Sequence, residues 1–303
     1  MHQRTPASLP RITLVVPSFN AVSTVERALR SIIGQAYPDL QLVCVDGASS
    51  DGTVTVLERH RQELAHLVVE PDRGPAEALN KGFRLADGEI FGWLNADDEL
   101  APGALLAVAR TFRDRPDVDV VTGGCYRFYA DGSQVQTAVP DRFLRSMALR
   151  NDLEQPSTFW RASAHRSAGE LDETMKYAFD WEWWNRLRVR GARFLRVEDV
   201  LSHYHFSTDN LTSRGGHKVV EEMYRITRRY GPWRGRVADV YRFLYRTFDL
   251  RGYFDDPNAL SPLRRLVFRT TLSVVRIVFG REVRDGYNWN WASKQARGLI
   301  WYR

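Results

Sequence analysis

The stretch "GEIFGWLNADDEL", residues 88–100, joins an apolar run to an abrupt acidic stop. Ile90 to Leu94 reads as a strand built for a protein interior, and it ends at Asn95-Ala96-Asp97-Asp98. Adjacent like charges repel and are costly to desolvate. A carboxylate pair in such a place points to a divalent cation. Magnesium and manganese take oxygen ligands, often one or two carboxylates together with substrate phosphates. The competing expectation is a solvated turn or helix cap before the helix that starts near Pro102.

Upstream of this strand the pattern is regular. Arg11 to Pro17 is a short β-branched run, Ser23 to Gln35 has helical spacing, and Leu40 to Val45 is a second strand. Val54 to Leu67 is predicted helical, Leu67 to Val69 a strand, and Pro75 to Ala86 a helix. Strand and helix thus alternate through the first hundred residues, which predicts βαβ units, a mainly parallel sheet and helices on both faces. Ligands of such sheets sit at the carboxyl ends of the strands. The polar clusters fall there: Ser18 to Asn20, Asp46 to Thr53, Asp72 to Gly74, and Asn95 to Asp98. Four loops are expected to share one crevice.

Downstream, a helix is expected from Pro102 to about Arg113 and a strand over Val118 to Val121. Tyr126 to Tyr129 and Gln134 to Ala138 should flank a turn, Pro140 to Arg150 should be helical, and Phe179 to Arg190 forms a tryptophan-rich helix. The 303 residues suit one large domain with an extension, and the 44% apolar and 26% charged fractions are those of an ordinary globular protein. Two cysteines, Cys44 and Cys125, make neither a disulfide framework nor a metal-type spacing, so a cytoplasmic compartment is expected. Met1 to Pro10 has no signal-peptide character, and no window approaches the roughly 18 apolar residues of a membrane span.

Charge is uneven. Residues 215–303 hold 18 Lys+Arg against 8 Asp+Glu, although the whole chain is only +6. Within Leu263 to Phe279, Arg265, Arg269 and Arg276 share one helical face, and Trp289, Trp291, Trp301 and Tyr302 follow. Basic and interfacial aromatic residues together suit a helix lying on an anionic membrane surface. A solvated helical cap is the simpler alternative. No nucleic-acid-binding module is present, so that partner is not expected.

No phosphate-loop signature and no Gly-x-Gly-x-x-Gly follows the first strand, which argues against ATPase and dinucleotide-dehydrogenase readings. Asp46, directly after a strand, is placed to accept from the imide N–H of a uracil or thymine ring. Taken in order, "VVPSFN", "VCVDGASSDGT", "EPDRGPAEALNKG", "ADGEIFGWLNADDEL" and "YAFDWEWWNRL" resemble the successive signatures of family 2 glycosyltransferases with the GT-A fold. The resemblance runs from Ile12 to Thr212, about two thirds of the chain.

The resemblance implies an α/β, GT-A-like (Rossmann-like) mixed sheet, mainly parallel and flanked by helices. It would occupy residues 1–215, with a basic helical extension over 216–303. It implies a nucleotide-diphosphate sugar donor, expected to be UDP- or dTDP-linked in this chain, a divalent Mg2+ or Mn2+, and inversion at the anomeric carbon. The acceptor would be a hydroxyl of a glycan or glycolipid. By position, Pro17, Phe19, Asn20 and Asp46 would hold the nucleobase and its surroundings, and Asp72, Gly74, Asn80 and Lys81 would line the nucleotide pocket. Asn95-Ala96-Asp97 occupies the Asp-x-Asp metal motif, with Asn95 in place of its first aspartate. Asp97 is the metal ligand expected, with Asp98 beside it.

Inverting transfer in one displacement needs a carboxylate to take the acceptor's proton. Asp180 matches the second residue of the family's Glu-Asp pair, Phe179 replaces the glutamate, and Glu182 is the competitor. Gln155 and Trp181 are expected near the sugar or the acceptor, although core packing is the commoner duty of tryptophan. His203 and His205 fall where a late loop covers the diphosphate. Because strand residues alternate between faces, at most one of them, His205 for preference, is expected to reach the metal. Two other readings keep the site: a sugar-phosphate nucleotidyltransferase, and a non-catalytic nucleotide-binding subunit.

Overall fold

The structure, a computed structural model, describes residues 8–129, 131–206, 211, 215, 217–247 and 261–280. The β-branched run Ile12–Ser18 forms β1, buried along its whole length, and Leu40–Asp46 forms β2 beside it. Their parallel register sets Ser18 opposite Asp46. His66–Val69 (β3) and Ile90–Trp93 (β4) flank the pair, both parallel. Helices Val25–Ile33 (α1), Thr53–Arg59 (α2) and Pro75–Arg84 (α3) make the crossovers. All four strands therefore end at one sheet edge, as the sequence alternation predicts.

Further strands are Glu99–Leu100 (β5), Val120–Phe128 (β6), Gln134–Thr137 (β7), Thr158–Arg161 (β8) and Phe194–His205 (β9). Helices Ala104–Asp114 (α4), Phe143–Ser146 (α5), Ala162–Ala168 (α6) and Phe179–Val189 (α7) accompany them. The sheet runs β3-β2-β1-β4-β8-β6-β9-β5, with β7 paired to β6. β8 is antiparallel to both β4 and β6, β6 and β9 are parallel, and β5 is antiparallel to β9. The mixed, mainly parallel sheet expected of the chain is thus present.

Two apolar layers cover the sheet, divided by strand alternation. Leu14, Val16, Leu42 and Cys44 pack with α1, α2 and α4. Val15, Val43, Val45 and Trp93 pack on the other face with α3 and α7. That second layer contains Trp160, Trp181, Trp183 and Trp184, each no more than 1% exposed. Trp93 and Trp184 stack with centroids 5.6 Å apart. Core packing is therefore what these tryptophans do.

Several expectations are revised. The strands expected over Val118–Val121 and at Tyr126 are one strand, β6, because β9 supplies a partner along its full length. The helix expected over Pro140–Arg150 shrinks to the four residues of α5. The extension begins with His217–Tyr230 (α8), whose Val219, Met223 and Ile226 join the tryptophan layer. Arg236–Thr247 (α9) and Pro262–Phe279 (α10) follow, and Phe279 of α10 meets Trp233 at 4.5 Å. Trp289, Trp291, Trp301 and Tyr302 lie outside the described residues. Among the described residues no helix is long and apolar enough to cross a membrane.

Candidate active site

The ends of β1 and β2 are knitted together. Ser18 donates its hydroxyl to Asp46 Oδ2 at 2.7 Å, and Ser49 gives Asp46 both its hydroxyl and its backbone N–H at 2.7 Å. Asp46 is fully buried by these partners. Asn20 has a positive φ of 49°, a conformation asparagine tolerates. Its N–H donates to Ser49 Oγ at 2.8 Å and its Oδ1 accepts from Ser50 N at 3.0 Å. Pro17 is buried within β1, whereas Phe19 between them is 63% exposed. Gly47 admits the third loop: a Cβ there would lie 2.8 Å from Asp72 Oδ2 and 3.2 Å from the Phe19 ring. Asp72 in turn accepts from Gly74 N at 2.8 Å, and Gly74 opens α3 with a φ of 142°. Burial raises the Asp72 carboxyl. An exposed aromatic face beside a cluster of carboxylates and loop N–H groups suits a planar base.

The fourth loop carries the acidic motif. Asp98 is fully buried, with its Oδ1 unpartnered, while Asp97 is half-buried and Ala96 is buried. Burial, and next the charge of Asp97, push Asp98 well above the ordinary carboxylate range. Burial also raises Asp97, opposed in part by the charges of Arg27 and His205. Arg27 fixes the loop by donating to the Asp97 carbonyl at 3.0 Å and pairing with Glu99 at 3.0 Å. Asn95, the departure from the acidic motif, donates Nδ2–H to Asp98 Oδ2 at 3.3 Å and to Gln155 Oε1 at 3.0 Å. An aspartate there would add a third carboxylate beside Asp97 and buried Asp98. Among the described residues no three His, Cys, Asp or Glu side chains are gathered in a metal-ligand cluster. The orphaned Asp98 oxygen next to Asp97 nevertheless fits a hard cation whose remaining ligands are phosphate oxygens.

Asp180 stands in the first turn of α7. Its Oδ2 accepts from Asn151 Nδ2 at 3.1 Å and its Oδ1 from the N–H of Trp181 at 2.7 Å. Burial pushes its carboxyl up to about 6, against the lowering effect of those two donors. Gln155 donates to the Trp93 carbonyl at 2.9 Å while accepting from Asn95. The loop from Asn151 to Gln155 therefore touches the base candidate at one end and the acidic motif at the other. Asn151 and Arg27 carry no sequence signal of these contacts. Nothing in "RNDLEQ" or "STVERA" marks either as a contact across more than twenty residues.

Other expected residues are engaged by partners of their own. Asn80 is buried, with its Oδ1 accepting from Leu171 N at 2.9 Å and its Nδ2 donating to Leu171 O at 3.1 Å and Glu173 at 2.9 Å. Lys81 donates to the Pro71 carbonyl at 2.8 Å and pairs with Glu70 at 3.0 Å, so it ties down the base of the Asp72 loop. Glu182 is fully buried between Arg186 at 2.5 Å and Tyr230 at 2.6 Å. Trp181 is buried, with its indole N–H on the Met147 carbonyl. One expectation is corrected: His203 and His205 share a face. Residues two apart in a strand point the same way, and both rings lie against Phe128, at 5.4 and 5.1 Å. His205 also meets Glu99 at 2.5 Å.

A mainly parallel sheet whose strand-end loops gather beside a paired-carboxylate strand end has the GT-A-like architecture, and sequence comparison carries the assignment further. The profile of the glycosyl transferase family 2 matches residues 13–167, and the chain belongs to that family. TuaG of Bacillus subtilis, assigned to teichuronic acid biosynthesis, is 32% identical over 211 residues, covering 67% of this chain and 82% of the relative. An uncharacterized glycosyltransferase of Rickettsia typhi is 24% identical over 205 residues, covering 63% of this chain and 60% of its own length. Residues 1–349 of Staphylococcus aureus TarS, solved with UDP-GlcNAc, superpose at TM-score 0.60 and 17% identity, over 97% of this chain and 93% of that one. The mannosyltransferase PcManGT of Pyrobaculum calidifontis, solved with GDP-Man and Mn2+, superposes at 0.59 and 22% identity, over 97% and 86%. The chain spans 55% of the longer TarS structure.

Proposed function

We propose that the chain is an inverting glycosyltransferase that moves a sugar from a UDP- or dTDP-sugar to a hydroxyl of a polysaccharide or glycolipid. The observation that carries the reading is the pair of carboxylate sites joined by one loop: Asn95 of the acidic motif on Gln155, and Asn151 on Asp180. The donor's base would lie on Phe19 beside Asp46 and Asp72, with the loop at Gly74 approaching the ribose. Membership of the family supports the reaction class.

In the reaction the acceptor oxygen forms its bond to the anomeric carbon while the bond from that carbon to the diphosphate oxygen breaks. The leaving electron pair stays on the diphosphate, and the acceptor's proton passes to Asp180. A carboxyl held at about 6 is ionised at neutral pH yet more basic than an ordinary aspartate, which suits that role. Asn151 and the Trp181 N–H leave each oxygen a free lone pair for the proton. Asp97, with Asp98 beside it and His205 as a further candidate ligand, would hold Mg2+ or Mn2+, which supplies charge neutralisation for the departing diphosphate. Gln155 would then face the sugar or the acceptor.

The acceptor chemistry suggests a membrane partner, and α10 supports one. Leu263, Leu266, Val267, Val274, Ile277 and Val278 are exposed, Ile277 by 82%, while Val275 is buried. Their spacing gathers them in one stripe of the helix. Arg276 is exposed near its end; the side chains of Arg265 and Arg269 lie outside the described residues. This stripe, in an extension rich in arginine, would rest in an anionic lipid surface.

Incubating the protein with UDP-, dTDP- and GDP-sugars, Mn2+ and candidate glycan or lipid acceptors tests the reaction. Nucleoside diphosphate release coupled to acceptor glycosylation is expected. Release of pyrophosphate from an NTP and a sugar phosphate would contradict it.

A further inference from the structure

We infer that Glu222, on α8, is a positioning residue for the reaction, its carboxylate fixing the loop that delivers Asp180. The inference rests on the reading of Asp180 as base. Glu222 is 8% exposed. Its Oε1 accepts from Lys176 N at 2.7 Å, and its Oε2 from Tyr177 N and Ala178 N at 2.8 Å. α7 starts at Phe179, and its N-cap residue, Ala178, has no side chain with which to cap. A carboxylate from a helix beyond residue 215 takes over that task. Bonds from backbone N–H to an ionised carboxylate are among the strong ones.

Two other contacts make the clamp a brace. Arg225 donates to Thr174 Oγ1 at 2.8 Å, upstream of Glu222's bonds. Tyr230 donates to Glu182 Oε1 at 2.6 Å, one turn into α7. The segment from Thr174 to Glu182, with Asp180 inside it, is thus held along α8 at three points. The extension is then part of the active site rather than an appendage. A displacement of about 1 Å in a catalytic group costs up to about a hundredfold in rate, so the brace has a kinetic consequence.

The groups that face the Asp180 carboxyl are few. Asn151 approaches from the loop after α5, the Trp181 N–H from the same turn, and the Glu222 charge from α8. Burial, and to a smaller extent the Glu222 charge, raise the carboxyl; the Trp181 N–H, the Asn151 amide and the backbone N–H of Asp180 itself lower it. Removing the Glu222 charge moves this titration, and loosening of the brace is read separately in amide exchange and in kcat.

The test uses the full chain labelled with carboxyl-13C aspartate, the Asp180 resonance being identified by its loss in Asp180→Asn. In Glu222→Gln the Asp180 midpoint moves to lower pH, amides 176–178 exchange at least tenfold faster, and kcat falls about tenfold with the donor KM unchanged. An unmoved midpoint with unchanged exchange overturns the inference. In the unsubstituted chain these amides exchange as slowly as those of α7; fast exchange there overturns it even if the variant does not fold. Undiminished turnover by Asp180→Asn would instead remove the base assignment, and with it the inference.

Discussion

Asn151 donates its side-chain amide to Asp180 at 3.1 Å, from the loop whose other end, Gln155, receives the amide of Asn95. The proposed base and the acidic motif are thereby set by one short segment, although they are far apart in sequence. Asn151→Ala removes a donor that lowers the Asp180 carboxyl, so the acid limb of the kcat profile moves to higher pH. This is opposite in direction to the shift expected of Glu222→Gln. A pH-rate profile in which both variants move the same way would contradict the electrostatic picture of the site.

Asp180→Asn keeps a side chain of the same size and removes the proposed proton acceptor. Its kcat falls by about 10²–10⁴-fold, with donor binding retained. The same substitution has a stability consequence whose sign can be fixed. A carboxyl raised to about 6 in the folded chain binds its proton more tightly there than when unfolded. Its ionised form therefore costs stability above pH 6, and the cost is relieved as pH falls through that value. Denaturant titration should find Asp180→Asn more stable than the parent at pH 8, with the gap narrowing toward pH 5. A gap independent of pH would contradict the assigned burial.

Asn95→Asp tests the amide in the acidic motif. It deletes two donated hydrogen bonds and places a third carboxylate against buried Asp98. A loss of about 1–3 kcal/mol is expected in chelator, by the usual cost of unpaired buried groups. Mn2+ restores much of it. Stability equal to that of the parent in chelator would show that Asn95 has no such role.

On α10, Leu266→Glu with Ile277→Glu puts two charges on the exposed stripe. Flotation with vesicles containing phosphatidylglycerol should fall severalfold, with the melting temperature changed little because both side chains face solvent. Salt should weaken binding of the parent chain. Absence of flotation by the parent at low salt would remove the membrane partner.

The first hundred residues were legible because the βαβ alternation and the strand-end loops are local signals. Val15, Val43 and Val45 separate from Leu14, Val16 and Leu42 by the simple two-residue period of a strand. β9 was not legible: "FLRVEDVLSHYH" is interrupted by charges, and its pairing with β6 reaches across some seventy residues. Site residues followed the same division. Asp97 and Asp180 stand out by position in a motif, whereas the amide of Asn80 is consumed by the turn at Leu171, which no spacing announces. The shared face of His203 and His205 is itself a local signal, since residues two apart on a strand point the same way.

Calorimetric titration of the protein with UDP-, dTDP- and GDP-sugars, with and without Mn2+, reads whether Asp97 holds a cation beneath a diphosphate. One of these donors should bind in Mn2+, weaken at least tenfold in chelator, and lose its metal dependence in Asp97→Ala. Tight binding that ignores both the metal and the Asp97→Ala change would contradict the assignment of the site.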